Sequence, residues 1–216
     1  MVNKKILVTA GPVWVPLDSV RILTNRFTGR TGYGIARFLA VNGYDVDLQL
    51  GPSSLIVRSH DNMNVERFTY FAELHNNVIA ALKRKRYAAI VHSAAVADYL
   101  PENIYDGKIR SKQKDLSFNM VPAPKIIKDM RRLAASSLLI QFKLEVGLSR
   151  EELIDAARAS LRSNSSDYVI ANDLTDMSDG KYRGILINGN KSYVNITSRH
   201  KLNDVILDLL KRECAL

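Results

Sequence analysis

The sequence predicts an α/β fold with a doubly wound, mostly parallel sheet and helices on both faces, and three observations carry that prediction. Short apolar runs alternate with segments of helical period from one end of the chain to the other. Runs such as KILVT (residues 5–9) and YAAIVHSA (87–94) are apolar nearly throughout, as strands covered on both sides must be. Strands separated by helices run parallel, because each crossover helix has to return over the sheet.

Element by element, residues 5–9 read as a buried strand closed by Ala10-Gly11-Pro12. Residues 31–42 put Ile35, Phe38 and Leu39 on one helical face, with Gly43 where a terminating glycine belongs. Residues 44–50 alternate Val46, Leu48 and Leu50 inward and stop at Gly51-Pro52, and 65–70 form a further short strand. Leu74, Val78, Ala81 and Leu82 give 72–85 a helical stripe. Residues 87–94 form a continuous buried strand, 125–135 a short helix and 137–144 another strand. Ser149 with Glu152 makes a capping box for a helix bearing Leu153, Ala157 and Leu161, and 167–171 is the next strand.

Two regions break the alternation. Residues 107–120 are polar and basic, then alternate through Leu116, Phe118 and Met120, a long loop leading into a strand. Residues 184–196 read as a small β-hairpin excursion about Asn188-Gly189-Asn190. A final helix over 198–211 carries Leu202, Val205, Ile206, Leu209 and Leu210 on one stripe. No linker or repeat divides the chain, so residues 1–216 are expected to form a single Rossmann-like domain.

Lysine and arginine number 31 against 22 acids, a formal charge of +9 that attracts polyanions: nucleic acid, or nucleotides and phosphorylated small molecules. The basic residues are dispersed apart from Lys83-Arg84-Lys85-Arg86, which reads as a solvated helix end. Neither a zinc-finger spacing nor an RNP-type aromatic pattern is present, so no nucleic-acid partner is expected. With 46% hydrophobic and 25% charged residues the chain can bury a proper core. No apolar run approaches the roughly 20 residues that span a membrane. Met-Val-Asn-Lys-Lys at the N-terminus offers no signal-peptide core, and the single Cys214 has no partner for an internal disulfide. A reducing, cytoplasmic setting away from membranes is the expectation.

Ligands of open parallel sheets bind beyond the carboxyl ends of the strands, which nominates residues 9–12, 93–99 and 142–147 together with Asn172-Asp173. The cluster Gly29-Arg30-Thr31-Gly32-Tyr33-Gly34 opens the first helix, where glycines let a phosphate approach backbone N–H groups; a plain helix-entry turn accounts for it equally well. Its order is not G-x-G-x-x-G and no Walker A sequence exists, which disfavours a standard dinucleotide site or P-loop. Asp98, beside the small residues 93–97, can hold a hydroxyl, an amide or Mg²⁺, or can simply cap a helix. Lys108, Arg110, Lys112 and Lys114 alternate after Gly107; such cations neutralise a triphosphate, though most such runs are solvated loops. The histidines (60, 75, 92 and 200) show no metal-ligand spacing, and His92 reads as a satisfied core residue. No nucleophilic triad is legible.

One ordered set of motifs adds to this reading. It begins with Val8-Thr9-Ala10-Gly11-Pro12, Pro16-Leu17-Asp18, Val20-Arg21 and Thr24-Asn25-Arg26-Phe27-Thr28-Gly29, ending at Gly32. It continues through residues 94–99, Lys108-Ile109-Arg110, Phe142-Lys143-Leu144-Glu145 and Ile170-Ala171-Asn172-Asp173. In order and spacing it resembles the phosphopantothenoylcysteine synthetases, the amide-forming ligases of coenzyme A biosynthesis. The resemblance implies a nucleotide-dependent ligase joining 4′-phosphopantothenate to cysteine through an acyl-nucleotide, with Mg²⁺ and CTP or ATP, in a homodimer. It implies Lys108 as the cation of the first step and Asn25 as the amide that binds the acyl intermediate and supports the second. Gly11, Thr28, Gly29, Gly32 and Arg110 fall on its nucleotide-phosphate contacts, and Phe142 and Asn172 on further nucleotide contacts. Ala94, Ala95 and Asp98 fall on the phosphopantothenate and metal-adjacent wall.

The family is often fused behind a flavin-dependent decarboxylase, and this chain, lacking that half, is expected to be a stand-alone synthetase. Phe-Lys-Leu-Glu is similar to stand-alone and eukaryotic members; fused and many bacterial members use CTP and eukaryotic ones prefer ATP, and CTP is the expectation here without a deciding residue. Three departures stand out: apolar Val13-Trp14-Val15 in a usually polar loop, Phe27 where serine is common, and Ser111 where a lysine is usual, with Lys112 a substitute. An NAD(P)- or flavin-binding reductase and a non-catalytic nucleotide-binding homologue remain the alternatives.

Overall fold

A computed structural model describes residues 4–111, 115–189 and 193–214. Strand β1 (Lys5–Ala10) is followed by two three-residue strands, β2 (Trp14–Pro16) and β3 (Ile22–Thr24), then by helix α1 (Arg30–Val41). Next come β4 (Asp45–Leu50), β5 (Met63–Arg67), α2 (Phe71–Arg84) and β6 (Ala89–His92). Two more short strands, β7 (Tyr99–Pro101) and β8 (Met120–Pro122), precede α3 (Ile126–Leu133). The chain ends with β9 (Leu138–Glu145), α4 (Arg150–Asn164), β10 (Tyr168–Asp173), β11 (Gly184–Asn188), β12 (Tyr193–Ile196) and α5 (Arg199–Glu213).

Eight strands form the main sheet in the order β12-β11-β10-β9-β6-β1-β4-β5. It is parallel from β10 to β5, with β11 and β12 antiparallel at one edge. Alternate residues of β1 serve opposite cores. Ile6, Val8 and Ala10 pack with Ile35 and Leu39 of α1 and Leu202 and Ile206 of α5. Leu7 packs with Leu74 and Val78 of α2 and Ile126 and Met130 of α3. A third cluster seats Leu153 and Ala157 of α4 on Val169, Ala171 and Ile185. Each fully buried aliphatic side chain contributes about 1.5–3 kcal/mol, which is what holds helices on both faces. No helix among the described residues is long and apolar enough to cross a membrane.

Several expectations are corrected in detail. The residues between the apolar ones of β4 do not face water: Asp47 and Gln49 are as buried as Leu48. Asp47 accepts hydrogen bonds from the Tyr87 hydroxyl at 2.6 Å and the Lys85 ammonium at 2.8 Å. Burial alone would raise its pKa; the bonds from Lys85 and Tyr87 outweigh that and hold it below its ordinary value. Lys85 is therefore tied to a buried acid, while Lys83 and Arg84 lie in the last turn of α2, where cations suit the helix end. The strand expected at 65–70 is displaced to Met63–Arg67, leaving Phe68 buried beside it. The basic loop leads into a strand that begins at Met120, and Phe118 just before it packs edge-on against Tyr105 at 5.9 Å. The hairpin of β11 and β12 extends the main sheet, and the true excursions are two small ribbons, β2–β3 and β7–β8. The capping box holds, with Ser149 Oγ accepting from the Glu152 N–H and the Glu152 carboxylate from the Ser149 N–H.

Candidate functional site

The chain leaves β1 for β4 on one side and places β6 on the other, so the carboxyl ends of β1 and β6 flank the switch point where ligand crevices open. Thr9-Ala10-Gly11 and Ser93-Ala94-Ala95 meet there: Ser93 N–H donates to Thr9 O at 3.1 Å and Ala95 N–H to Gly11 O at 2.9 Å. Helix α1 begins at the same place. Its N-cap, Gly29, is left-handed (φ 77°) and supplies no side-chain cap, so the first-turn N–H groups are open to an anion.

The glycines make that approach possible. A Cβ on Gly29 would sit 2.8 Å from the Gly11 nitrogen, and one on Gly32 would sit 2.6 Å from Ala10 Cβ and 2.2 Å from Ser93 Oγ. Close packing therefore explains Gly29 and Gly32, and the same packing lays the helix N-terminus on the strand ends. Gly34 meets nothing within 4 Å. Gly32→Ala is expected to destabilise by about 1–3 kcal/mol through overpacking, whereas Gly34→Ala should stabilise by about 1 kcal/mol through helix propensity. Thermal unfolding of the two variants would contradict this packing if both shifted the same way.

The β2–β3 ribbon stands over this crevice. Trp14 pairs with Thr24 across it, and Val13 and Val15 are buried in the core beneath. The apolar Val13-Trp14-Val15 segment is thus the ribbon's root. Thr24 Oγ1 donates to Val13 O at 2.8 Å. Asn25, directly after β3, is exposed and donates its amide to Ala95 O at 3.3 Å, a long contact that a substrate oxygen can displace.

The Lys108 loop is docked on the turn of the same ribbon. Ser19 N–H donates to Gly107 O at 3.0 Å, Tyr105 N–H to Leu17 O at 3.1 Å, and Ile109 N–H to Asp18 Oδ2 at 3.0 Å. Lys108 and Arg110 are exposed while Ile109 between them is buried. Asp18 is held well below the usual carboxylate range, above all by the Ile109 N–H, with Val20 and Arg21 adding to it. Lys112 and Lys114 lie outside the described residues.

The sequence-predicted residues divide accordingly. Gly11, Asn25, Gly29, Gly32, Ala94 and Ala95 converge at the switch point. Thr28 precedes the N-cap, its carbonyl accepting from Ser53 Oγ at 2.6 Å. Asp98 is exposed and paired with Lys125 at 2.5 Å. Phe142 is half-buried on β9, against the core that α1 shares. Asn172 is buried, and both ends of its amide are engaged: Nδ2 donates to Arg183 O and Oδ1 accepts from the Tyr182 hydroxyl. That amide fastens the β10–β11 connection. Neighbouring Asp173, held far below its ordinary pKa chiefly by Thr175 and the Leu148 N–H, lines a cavity of about 350 Å³ away from the switch point.

His92 has its pKa pushed down to about 4 by burial, with Nδ1 2.8 Å from Thr9 Oγ1. It is neutral at pH 7 and supplies no cation. No group of three or more His, Cys, Asp or Glu among the described residues is placed to hold a metal. Sequence reasoning missed the ribbon and the part Asp18 plays in it. The available signal was an aspartate opening a turn between two short apolar stretches.

Comparison with known proteins shows the family and the fold. Residues 1–214 match the family model described as the DNA/pantothenate metabolism flavoprotein C-terminal domain. The coenzyme A biosynthesis bifunctional protein CoaBC of Thermococcus kodakarensis is 37% identical over 172 residues, covering 80% of this chain and 42% of that protein. The chain thus spans less than half the length of that relative. The crystal structure of the DNA/pantothenate metabolism flavoprotein from Streptococcus pneumoniae superposes with a TM-score of 0.87 at 30% identity, covering 96% of this chain and 98% of that one. A Cab2 mutant solved in complex with phosphopantothenate-cysteine shares the fold, with a TM-score of 0.79 at 18% identity over 98% of this chain and 86% of its own. The chain belongs to the family of the DNA/pantothenate metabolism flavoprotein C-terminal domain.

Proposed function

We propose that this chain is a phosphopantothenate–cysteine ligase that uses CTP in preference to ATP. The observation that carries the reading is the β2–β3 ribbon: it hangs Asn25 over Ala95 at the switch point and binds the Lys108 loop to its turn, in a chain of this family. The Cab2 complex with phosphopantothenate-cysteine supports the choice of substrate.

In the first step a carboxylate oxygen of 4′-phosphopantothenate attacks the nucleotide α-phosphorus and pyrophosphate leaves. Two anions must be held together for in-line displacement, and Lys108, Arg110 and the open N-terminus of α1 supply positive potential for that. Gly11, Thr28, Gly29 and Gly32 frame the phosphates, with Phe142 and Asn172 beyond them. In the second step the cysteine amine attacks the acyl carbonyl, a C–N bond forms, the amine loses a proton and the nucleoside monophosphate leaves. The Asn25 amide exchanges Ala95 O for the oxygen that gains charge, with Ala94 and Ala95 as the wall behind it.

Mg²⁺ would arrive on the triphosphate, since it keeps several waters and takes one or two carboxylates together with phosphate oxygens. Asp98 fits as the protein contact once it exchanges Lys125. When bound, the ion neutralises phosphate charge.

The active form is proposed to be a homodimer. Val20 and Leu23 of the first ribbon, and Tyr99 of the second, are 64%, 50% and 57% exposed, an apolar surface continuous with the site-bearing elements. Light scattering should give twice the 24.2 kDa chain mass, and Val20→Asp with Tyr99→Asp should give a monomer. A monomeric wild-type protein at assay concentration would contradict the dimer. The cytoplasm is the expected setting. Mass spectrometry of a reaction with 4′-phosphopantothenate, Mg²⁺, CTP or ATP, and cysteine tests the ligase reading as a whole.

A further inference from the structure

Asp18 is only 2% exposed although it lies in a surface turn. A buried carboxylate is tolerated only where donors satisfy it. Oδ1 accepts the N–H groups of Val20 at 2.7 Å and Arg21 at 2.6 Å, and Oδ2 accepts the Arg21 guanidinium and the Ile109 N–H at 3.0 Å. Arg21 continues to the Ile109 carbonyl, with both terminal nitrogens at 3.4 Å. Both backbone polar groups of Ile109 are therefore held from the ribbon, and its side chain is buried. The two local bonds to Val20 and Arg21 already suffice for an ordinary Asx turn. The bond to Ile109, 91 residues further along the chain, serves the lysine loop instead.

We propose that Asp18 is a positioning residue for the ligase reaction: it fixes the backbone at Ile109, so that Lys108 is presented from the ribbon that also carries Asn25. The kinetic part of this inference rests on the proposed ligase function; the structural part rests on the geometry alone.

Two variants test it. Asp18→Asn keeps the shape and removes the charge, and Asp18→Ser keeps a short acceptor for Val20 and Arg21 but cannot reach Ile109. In both, backbone amide exchange over residues 107–111 should quicken, and kcat for pyrophosphate release should fall about 10- to 100-fold, the scale expected of a misplaced catalytic group. The reaction of preformed acyl-nucleotide with cysteine should stay near wild type. Lys108→Gln should leave the exchange unchanged while losing pyrophosphate release, which separates position from chemistry. Wild-type exchange over 107–111 in a folded Asp18→Ser protein would overturn the proposal, as would an equal loss in both half-reactions. If the wild-type protein releases no pyrophosphate, the ligase reading fails and the exchange measurement alone decides the role of Asp18.

Discussion

Lys108→Gln is expected to abolish pyrophosphate release from CTP in the presence of 4′-phosphopantothenate, with a loss on the order of 10³-fold. The effect is electrostatic. Negative charge shifts toward the departing pyrophosphate during displacement, and a carboxylate nucleophile must be brought against it. Lys108 is exposed on a loop whose neighbouring residue is buried and bonded, so its ammonium is free to meet the phosphates while its backbone is fixed. Glutamine retains most of the length and hydrogen-bonding capacity but none of the charge. Because Lys108 lies outside the packed core, the variant should unfold at the wild-type temperature. A Lys108→Gln protein that releases pyrophosphate at the wild-type rate would remove Lys108 from the mechanism.

Asn25→Asp has the opposite signature. Its first half-reaction should persist, so acyl-nucleotide accumulates, while amide formation falls by on the order of 10²- to 10³-fold, the usual cost of losing one oxyanion donor. The substitution is nearly isosteric, but it replaces the N–H₂ that now reaches Ala95 O with an acceptor and sets a negative charge beside the oxygen that gains charge. Chemical quench before and after cysteine is added separates the two steps. Equal impairment of both would show that Asn25 serves general binding instead.

The elements that position this site were unequally legible in the sequence. Strands β1, β6 and β10 could be read because each is largely buried on both faces and so rich in apolar residues, and β9 could be read from its apolar first half, Leu138-Leu139-Ile140. Helices α4 and α5 could be read because their stripes and serine N-caps agree. Strands of three residues, such as β2 and β3, carry no period, so the ribbon that joins Asn25 to the Lys108 loop was invisible before its pairing was seen. Strand β4 misled through alternation: Asp47 and Gln49 look like solvent-facing positions until Lys85, Tyr87 and Glu66 arrive from elsewhere in the chain to satisfy them.

The site residues followed the same division. Gly29 and Gly32 were chemically ambiguous, and only the distances to Gly11, Ala10 and Ser93 show how closely they pack against the strand ends. Asn172 was legible as a polar group at a strand end, but its partners Arg183 and Tyr182, 11 and 10 residues further on, could not be inferred from spacing. Asp18 could be quoted as part of a motif, but its long-range partner at Ile109 could not be inferred from spacing.

Asn25 on the ribbon and Lys108 on the loop docked against its turn are expected to run a two-step ligation. One reaction mixture analysed by mass spectrometry tests it most directly: the protein with Mg²⁺, 4′-phosphopantothenate and CTP or ATP, with and without cysteine. An acyl-nucleotide and pyrophosphate are expected when cysteine is absent and 4′-phosphopantothenoylcysteine when it is present, with CTP giving more of each than ATP. No acyl-nucleotide and no amide with either triphosphate, from a folded protein that still binds nucleotide, would contradict it and make the chain a non-catalytic nucleotide-binding member of the family.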